Sequence, residues 1–111
     1  MELTLDSFEQ AERRLKPTIH RTNIERSHTF SIMSQSSVYM KYENRQKTGS
    51  FKIRGASNKI AALAEAGGVT SVVASSAGNH AQGVAYAAKV LGIPATIVMP
   101  KSAPIAKVQA T

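Results

Sequence analysis

Two short stretches gather the residues of this chain that could do chemistry. Thr48-Gly49-Ser50-Phe51-Lys52-Ile53-Arg54-Gly55-Ala56 carries an amine where a helical pattern begins. Ser75-Ser76-Ala77-Gly78-Asn79-His80-Ala81-Gln82-Gly83 carries hydroxyls, glycine backbone and an amide. Lys52 falls in the first turn of its expected helix, where the positive end of the macrodipole disfavours a second cation and raises the fraction of neutral amine. A lysine that forms a Schiff base needs that neutral amine. Most helical lysines are simply solvated, but Gly49, Ser50, Phe51 and Gly55 are small or flat and suit close backbone approach and a ring stacked on Phe51. The second stretch opens a helix whose free N–H groups, with the hydroxyls of Ser75 and Ser76 and with Gly78, suit a carboxylate or phosphate. The same residues also suit a tight turn with serine caps, and their types alone leave both readings open. An amine facing an anion cradle points to carbonyl chemistry on an amino acid.

Other chemistries fit less well. Gly83 is followed by Val84 rather than by Lys and a hydroxyl residue, so this is no P-loop, and no G-x-G-x-x-G dinucleotide fingerprint occurs. His80 near Ser75 and Ser76 evokes hydrolysis. The chain has no G-x-S-x-G elbow, however, and its one aspartate is Asp6, so a triad would need Glu43 or another distant acid. His20, His28 and His80 lack metal-ligand spacing, and no metal is expected. His80 reads either as one more donor at the helix start or as a polar turn residue.

The elements that must position these groups follow from periodicity. Phe8, Ala11 and Leu15 mark a helix from Asp6 to Leu15, with Asp6 as N-cap, and Pro17 ends it. Residues 17–36 read as an irregular connection. Val38, Met40 and Tyr42 alternate in a short strand over 37–42. Ser50 caps a helix over 51–66 that Gly67-Gly68 stops. A buried strand over 71–74, a helix over Asn79 to Leu91 closed by Gly92, a strand over 95–99 and a helix starting at Pro104 complete the pattern. Strand alternating with helix implies right-handed crossovers and an open parallel, twisted sheet with flanking helices, an α/β fold. Ligands bind outside the carboxyl ends of such strands. Lys52 and Asn79, 27 residues apart, each lie just past one such end.

Composition sets the outer bounds. The 111 residues make one small domain or a piece of a larger one. The 42% hydrophobic content supports a core, and with 5% aromatic residues and no Trp that core is aliphatic. Absence of Cys fits a reducing compartment. Met1 to Asp6 lack the features of a signal peptide, and the longest apolar run, near 84–99, is broken by Lys89 and Pro94. A cytoplasmic location and no membrane partner are expected. Fourteen basic against seven acidic residues give a net charge of +7. The basic residues are scattered, without a dense run or interleaved aromatics, and so read as a solvated surface rather than a nucleic-acid site.

The two motifs, preceded by Lys41-Tyr42-Glu43-Asn44 and followed by Met99-Pro100-Lys101 and Ala103-Pro104, closely resemble the serine/threonine dehydratases (threonine ammonia-lyases). These are pyridoxal-phosphate enzymes of the tryptophan-synthase-β fold, the two-domain fold type II. The resemblance runs from about Asp6 to the last residue. It implies that Lys52 carries pyridoxal 5'-phosphate as a Schiff base, that Phe51 packs beside the pyridine ring, and that Asn79 hydrogen-bonds the cofactor's 3-oxygen. Ser76, Gly78, Asn79 and His80 are implied to hold the α-carboxylate of the substrate, L-threonine or L-serine. The implied reaction is loss of the α-proton to Lys52 and of the β-hydroxyl, giving a 2-oxo acid and ammonia.

Related serine racemases place a second serine directly after the position of Ser76. Here that residue is Ala77, which cannot deliver a proton, so elimination is expected over racemisation; a racemase is the alternative. The sulfhydrylase branch reads S-x-K-D-R and T-S-G-N-T-G at these places, and this chain does not. Family members are several times longer. The expectation is therefore a truncated enzyme, with residues 1–44 starting the large cofactor domain and 45–111 forming the first part of the small domain. The glycine-rich cup for the cofactor phosphate lies outside these residues. As it stands the chain would be half an active site or a non-catalytic fragment, and the full-length protein a homo-oligomer.

Overall fold

A computed structural model describes residues 3–111. Five α-helices and four short strands follow in the order α1 (Leu5–Leu15), β1 (Ile24–Arg26), α2 (His28–Ser34), β2 (Tyr39–Lys41), α3 (Lys52–Ala66), β3 (Val72–Ser75), α4 (Asn79–Leu91), β4 (Ala95–Val98) and α5 (Ile105–Ala110). A single 3-10 turn over Glu43–Arg45 links β2 to the loop before α3. The mixed α/β class expected from the sequence holds, and β3 and β4 pair in parallel with Val72 opposite Ala95 and Ser75 opposite Val98.

The core sits where α3 and α4 lie on one face of that pair. Ala56 and Ile60 of α3 meet Val84, Ala87 and Ala88 of α4, and Val72, Ala74, Ile93 and Ile97 close the cluster from the sheet side. Small residues dominate the helix contact, so the two backbones come close together. Helix α1 leans on α3 through buried Leu15 and through Arg14, whose Nε donates to Glu65 at 2.7 Å.

Strand β3, expected to be buried, alternates half-buried and exposed residues, with Val73 exposed, and three further expectations need correction. Thr4, not Asp6, caps α1: its backbone is extended and its hydroxyl accepts the Ser7 N–H, leaving Asp6 in the first turn beside the positive helix end. Helix α3 starts one residue later than expected. Phe51 already has helical angles, and the Ser50 hydroxyl accepts the N–H of Lys52 at 3.2 Å.

The third correction bears on the site. The segment 17–36 is not irregular, and the strand near residue 40 does not belong to the parallel sheet. Ile24–Arg26 runs antiparallel to Tyr39–Lys41, with Glu25 opposite Met40, and helix α2 fills the connection. Ser27 caps α2, and Gln35 reverses the chain with φ +52°. Strands of three residues give too little alternation to read, and a left-handed glutamine is a rare way to end a helix. Lys52 therefore does not follow a strand of the sheet that carries Asn79. Contact between α3 and α4 brings them together instead.

Candidate active site

The loop before Lys52 is pinned at both ends. The buried side-chain amide of Gln46 spans the backbone of His20, accepting its N–H at 3.1 Å and donating to its carbonyl at 2.7 Å. The chain turns at Gly49, whose φ of +68° suits a residue without a side chain, and Gly49 N–H donates to the Gln46 carbonyl. At the far end Arg54 Nε and Nη2 donate to the two oxygens of Glu43 at 2.7 and 2.8 Å, and Thr22 Oγ1 donates to the same carboxylate. Lys41 donates to the Thr22 carbonyl at 2.7 Å. Arg54 holds the Glu43 carboxyl down to about 2 from an ordinary 4.5, chiefly through its hydrogen bonds. Partial burial opposes this, while Thr22 and the charges of Arg54 and Lys41 add to it. Glu43 in turn raises the guanidinium of Arg54. With both oxygens engaged by Arg54 and Thr22, Glu43 orients no histidine, which removes it as the acid of a hydrolytic triad.

Lys52 itself is exposed, its Nζ 5.5 Å from the centroid of the Phe51 ring. None of the ion pairs among the described residues includes it. Helix α4 begins without a side-chain cap: the Ser76 hydroxyl accepts the N–H of Gly78 at 3.3 Å, and the first helical bond runs from Gln82 N–H to Gly78 O. The N–H groups of Asn79, His80 and Ala81 thus have no helical acceptor. Neither α3 nor α4 has an acidic residue in its first turn. Ser76 therefore holds the β3–α4 turn through Gly78, as one reading of the residue types had it, but does not cap α4, whose free N-terminus also suits an anion.

Gly83 lets the two helix starts approach. A Cβ built there would lie 3.2 Å from Ile53 Cα and 3.3 Å from both Ile53 N and the Lys52 carbonyl carbon. Those contacts are backbone, in a turn that Arg54 and Glu43 hold fixed. Gly83→Ala removes an unfavourable glycine from a helix interior, worth about 1 kcal/mol, but overpacks by about 1–3 kcal/mol. We expect a net loss of about 1 kcal/mol by denaturant unfolding. A stabilised variant would show that the first turn of α3 can give way.

Phe51, Lys52 and His80 line one mouth of a groove of about 510 Å³. The groove continues along α3 past Gly55 and Lys59 to an apolar floor of Ile60, Leu63, Val72 and Val73. Ser76 and Gly78 in the β3–α4 turn, and Asn79 at the first position of α4, do not line this groove. Asn79 Oδ1 instead accepts a hydrogen bond from Lys107 Nζ on α5 at 3.3 Å. Sequence reasoning named neither Lys107 nor the Glu43–Arg54 pair as part of the site. Lys107 lies 28 residues beyond Asn79, with no local pattern to betray the contact. Glu43 and Arg54 stand inside recognisable motifs, but only the fold pairs them.

The turn that carries Phe51 and Lys52 thus packs its backbone against α4, and His80 of α4 lines the same groove as both. Comparison with known proteins narrows the class. The model of the pyridoxal-phosphate dependent enzyme family matches residues 15–111. L-threonine ammonia-lyase of Thermotoga maritima is 55% identical over 109 residues, covering 98% of this chain and 27% of that protein. Maize serine racemase superposes with a TM-score of 0.89 at 44% identity, covering 99% of this chain and 33% of that one. The T.th. threonine deaminase gives 0.84 at 44% identity, over 97% and 34%. This chain belongs to the pyridoxal-phosphate dependent enzyme family, and it spans about a third of the length of the curated relatives it matches.

The residues present fit the family's cofactor. Lys52, in no ion pair among the described residues, would supply an amine to an aldehyde; Phe51 would offer a face to a flat ring; and the free N–H groups of α4 would suit an oxygen anion.

Proposed function

We propose that this chain is the N-terminal part of a lyase that eliminates water from L-threonine or L-serine to give an enamine, whose imine tautomer is hydrolysed by water to a 2-oxo acid and ammonia. The observation that carries the reading is the exposed Lys52 amine beside the Phe51 ring, carried on a helical turn whose backbone packs against Gly83 of α4. In this reading Lys52 holds pyridoxal 5'-phosphate through Nζ, Phe51 flanks its ring and Asn79 donates to its 3-oxygen. When bound, the cofactor supplies an electron sink that stabilises negative charge at the substrate Cα. Once the substrate's own amine has displaced it from the cofactor, the freed Lys52 Nζ takes the α-proton. Ser76, Gly78, Asn79 and His80 hold the substrate carboxylate at the α4 N-terminus, which fixes the Cα–H bond relative to Lys52. Residues 1–44 and 45–111 begin the large and small domains, and the whole enzyme assembles as a homo-oligomer in the cytoplasm. Among the described residues no helix is long and apolar enough to cross a membrane.

Serine racemisation is the second reading, favoured by the structural match to the maize enzyme. Ala77 argues against it, because a methyl group offers no proton to the opposite face of Cα. The complete enzyme, incubated with pyridoxal phosphate and reduced with borohydride, is expected to carry label on Lys52 alone among the eight lysines of this segment. It is also expected to release 2-oxo acid from threonine or serine without forming D-serine. Label spread over the lysines would remove Lys52 from its role, and D-serine as the main product would replace elimination by racemisation.

A further inference from the structure

We propose that Lys107 is a positioning residue that orients the side-chain amide of Asn79 so that its NH2 group is the end presented to a bound oxygen anion. The inference rests on the reading above, in which Asn79 donates to the cofactor. An asparagine amide has nearly the same shape when its oxygen and nitrogen exchange places, so packing alone selects neither end. An ammonium group has three donors and no acceptor, and it can meet only the oxygen. The Lys107 Nζ to Asn79 Oδ1 contact of 3.3 Å therefore fixes the amide's sense.

Asn79 makes no other side-chain hydrogen bond among the described residues, so the NH2 group is left as a free donor. It stands at the first position of α4, where the N–H groups of Asn79, His80 and Ala81 are also unpaired. With the amide held in this sense, its NH2 group joins the free helix N–H groups as a donor. Reversed, the amide would set a carbonyl oxygen against the anion. The fold supports the arrangement: α5 follows directly on Pro104, and Thr111 Oγ1 donates to the Lys107 carbonyl at 2.8 Å, closing the turn that carries the lysine.

The test uses the complete apoenzyme and pyridoxal phosphate, with three readouts: the dissociation constant, the pH titration of the visible absorbance of the bound form, and apoenzyme melting. Lys107→Met is expected to weaken binding about tenfold and to displace the titration, with melting little changed. Lys107→Arg keeps a donor-only cation and is expected to preserve both. Lys107→Met combined with Asn79→Ala is expected to bind no more weakly than Asn79→Ala alone, because the lysine acts through the amide.

If Asn79→Ala weakens binding while Lys107→Met leaves affinity and titration unchanged, the inference is overturned and the role of Asn79 survives. If Asn79→Ala has no effect, the role of Asn79 fails and the inference with it. Should Lys107→Met lower melting as well, the comparison moves to Lys107→Arg and the double variant. Loss of affinity in Lys107→Arg, or additive losses in the double variant, would then reduce Lys107 to a structural residue.

Discussion

Replacing Lys52 with alanine in the complete enzyme is expected to lower turnover by about 10³-fold or more while leaving the melting temperature nearly unchanged. The two halves of that result have separate causes. The side chain is exposed and forms no ion pair among the described residues, so its removal deletes no packing and strands no partner. Surface changes of that kind usually stay within about 0.5 kcal/mol. In the proposed reaction the same amine is both the attachment point of the cofactor and the base at the substrate Cα. Loss of a positioned proton acceptor alone costs about 10²–10⁴-fold. Lys52→Arg keeps the charge but lacks a neutral amine, and it is expected to be as inactive as the alanine variant. Assays of 2-oxo acid release beside thermal melts decide the matter. Retention of activity in either variant would mean that Lys52 takes no part in the chemistry, whatever its place beside Phe51.

The chemistry is more legible in the sequence than the route by which the fold assembles it. Lys52, Phe51 and the turn from Ser76 to His80 stand out because an amine, a ring and a Ser-Gly-Asn turn fall where helical patterns begin, and glycine and serine punctuation marks those starts locally. The bounds of α4 are readable for the same reason: Gly92, with φ +67°, ends it in the left-handed conformation and Pro94 follows. The antiparallel pairing of Ile24–Arg26 with Tyr39–Lys41 is not readable, because strand partners are set by contacts remote in sequence. Without that pairing the reason for proximity is misplaced. Periodicity points to a shared sheet edge that brings Lys52 toward Asn79, whereas the absent side chain of Gly83 does so by letting α4 lie against Lys52 and Ile53. Glycine in the middle of a helix is a weak signal by itself, since only the neighbouring backbone shows whether a side chain would fit. The capping of α4 is ambiguous in sequence for a related reason. Ser76 is a good cap by type, but its hydroxyl turns back to Gly78 and leaves the helix N–H groups free.

The grip on the first turn of α3 gives the second large effect. Glu43→Gln is expected to lower stability at pH 7 by about 3 kcal/mol, an upper figure set by the displacement of the carboxyl from 4.5 to about 2. Because the folded carboxyl titrates below the unfolded one, the unfolded state binds the proton more readily. The contribution is therefore fully present above about pH 5 and is lost as the pH falls through 4.5 toward 2. The difference between wild type and variant in urea unfolding should be about 1 kcal/mol smaller at about pH 3.5 than at pH 7. A difference independent of pH would mean that shape, not charge, accounts for the loss. The consequence for the site follows from sequence distance, since Arg54 is two residues from Lys52 in the same turn. Releasing Arg54 lets that turn move against Gly83, so reductive labelling of Lys52 should slow in Glu43→Gln even at temperatures where the variant remains folded. Glu43→Asp, with the charge kept but a shorter reach, should fall between the two. Labelling at the wild-type rate in Glu43→Gln would leave the ion pair as a stability element and separate the fold's firmness here from the presentation of the amine.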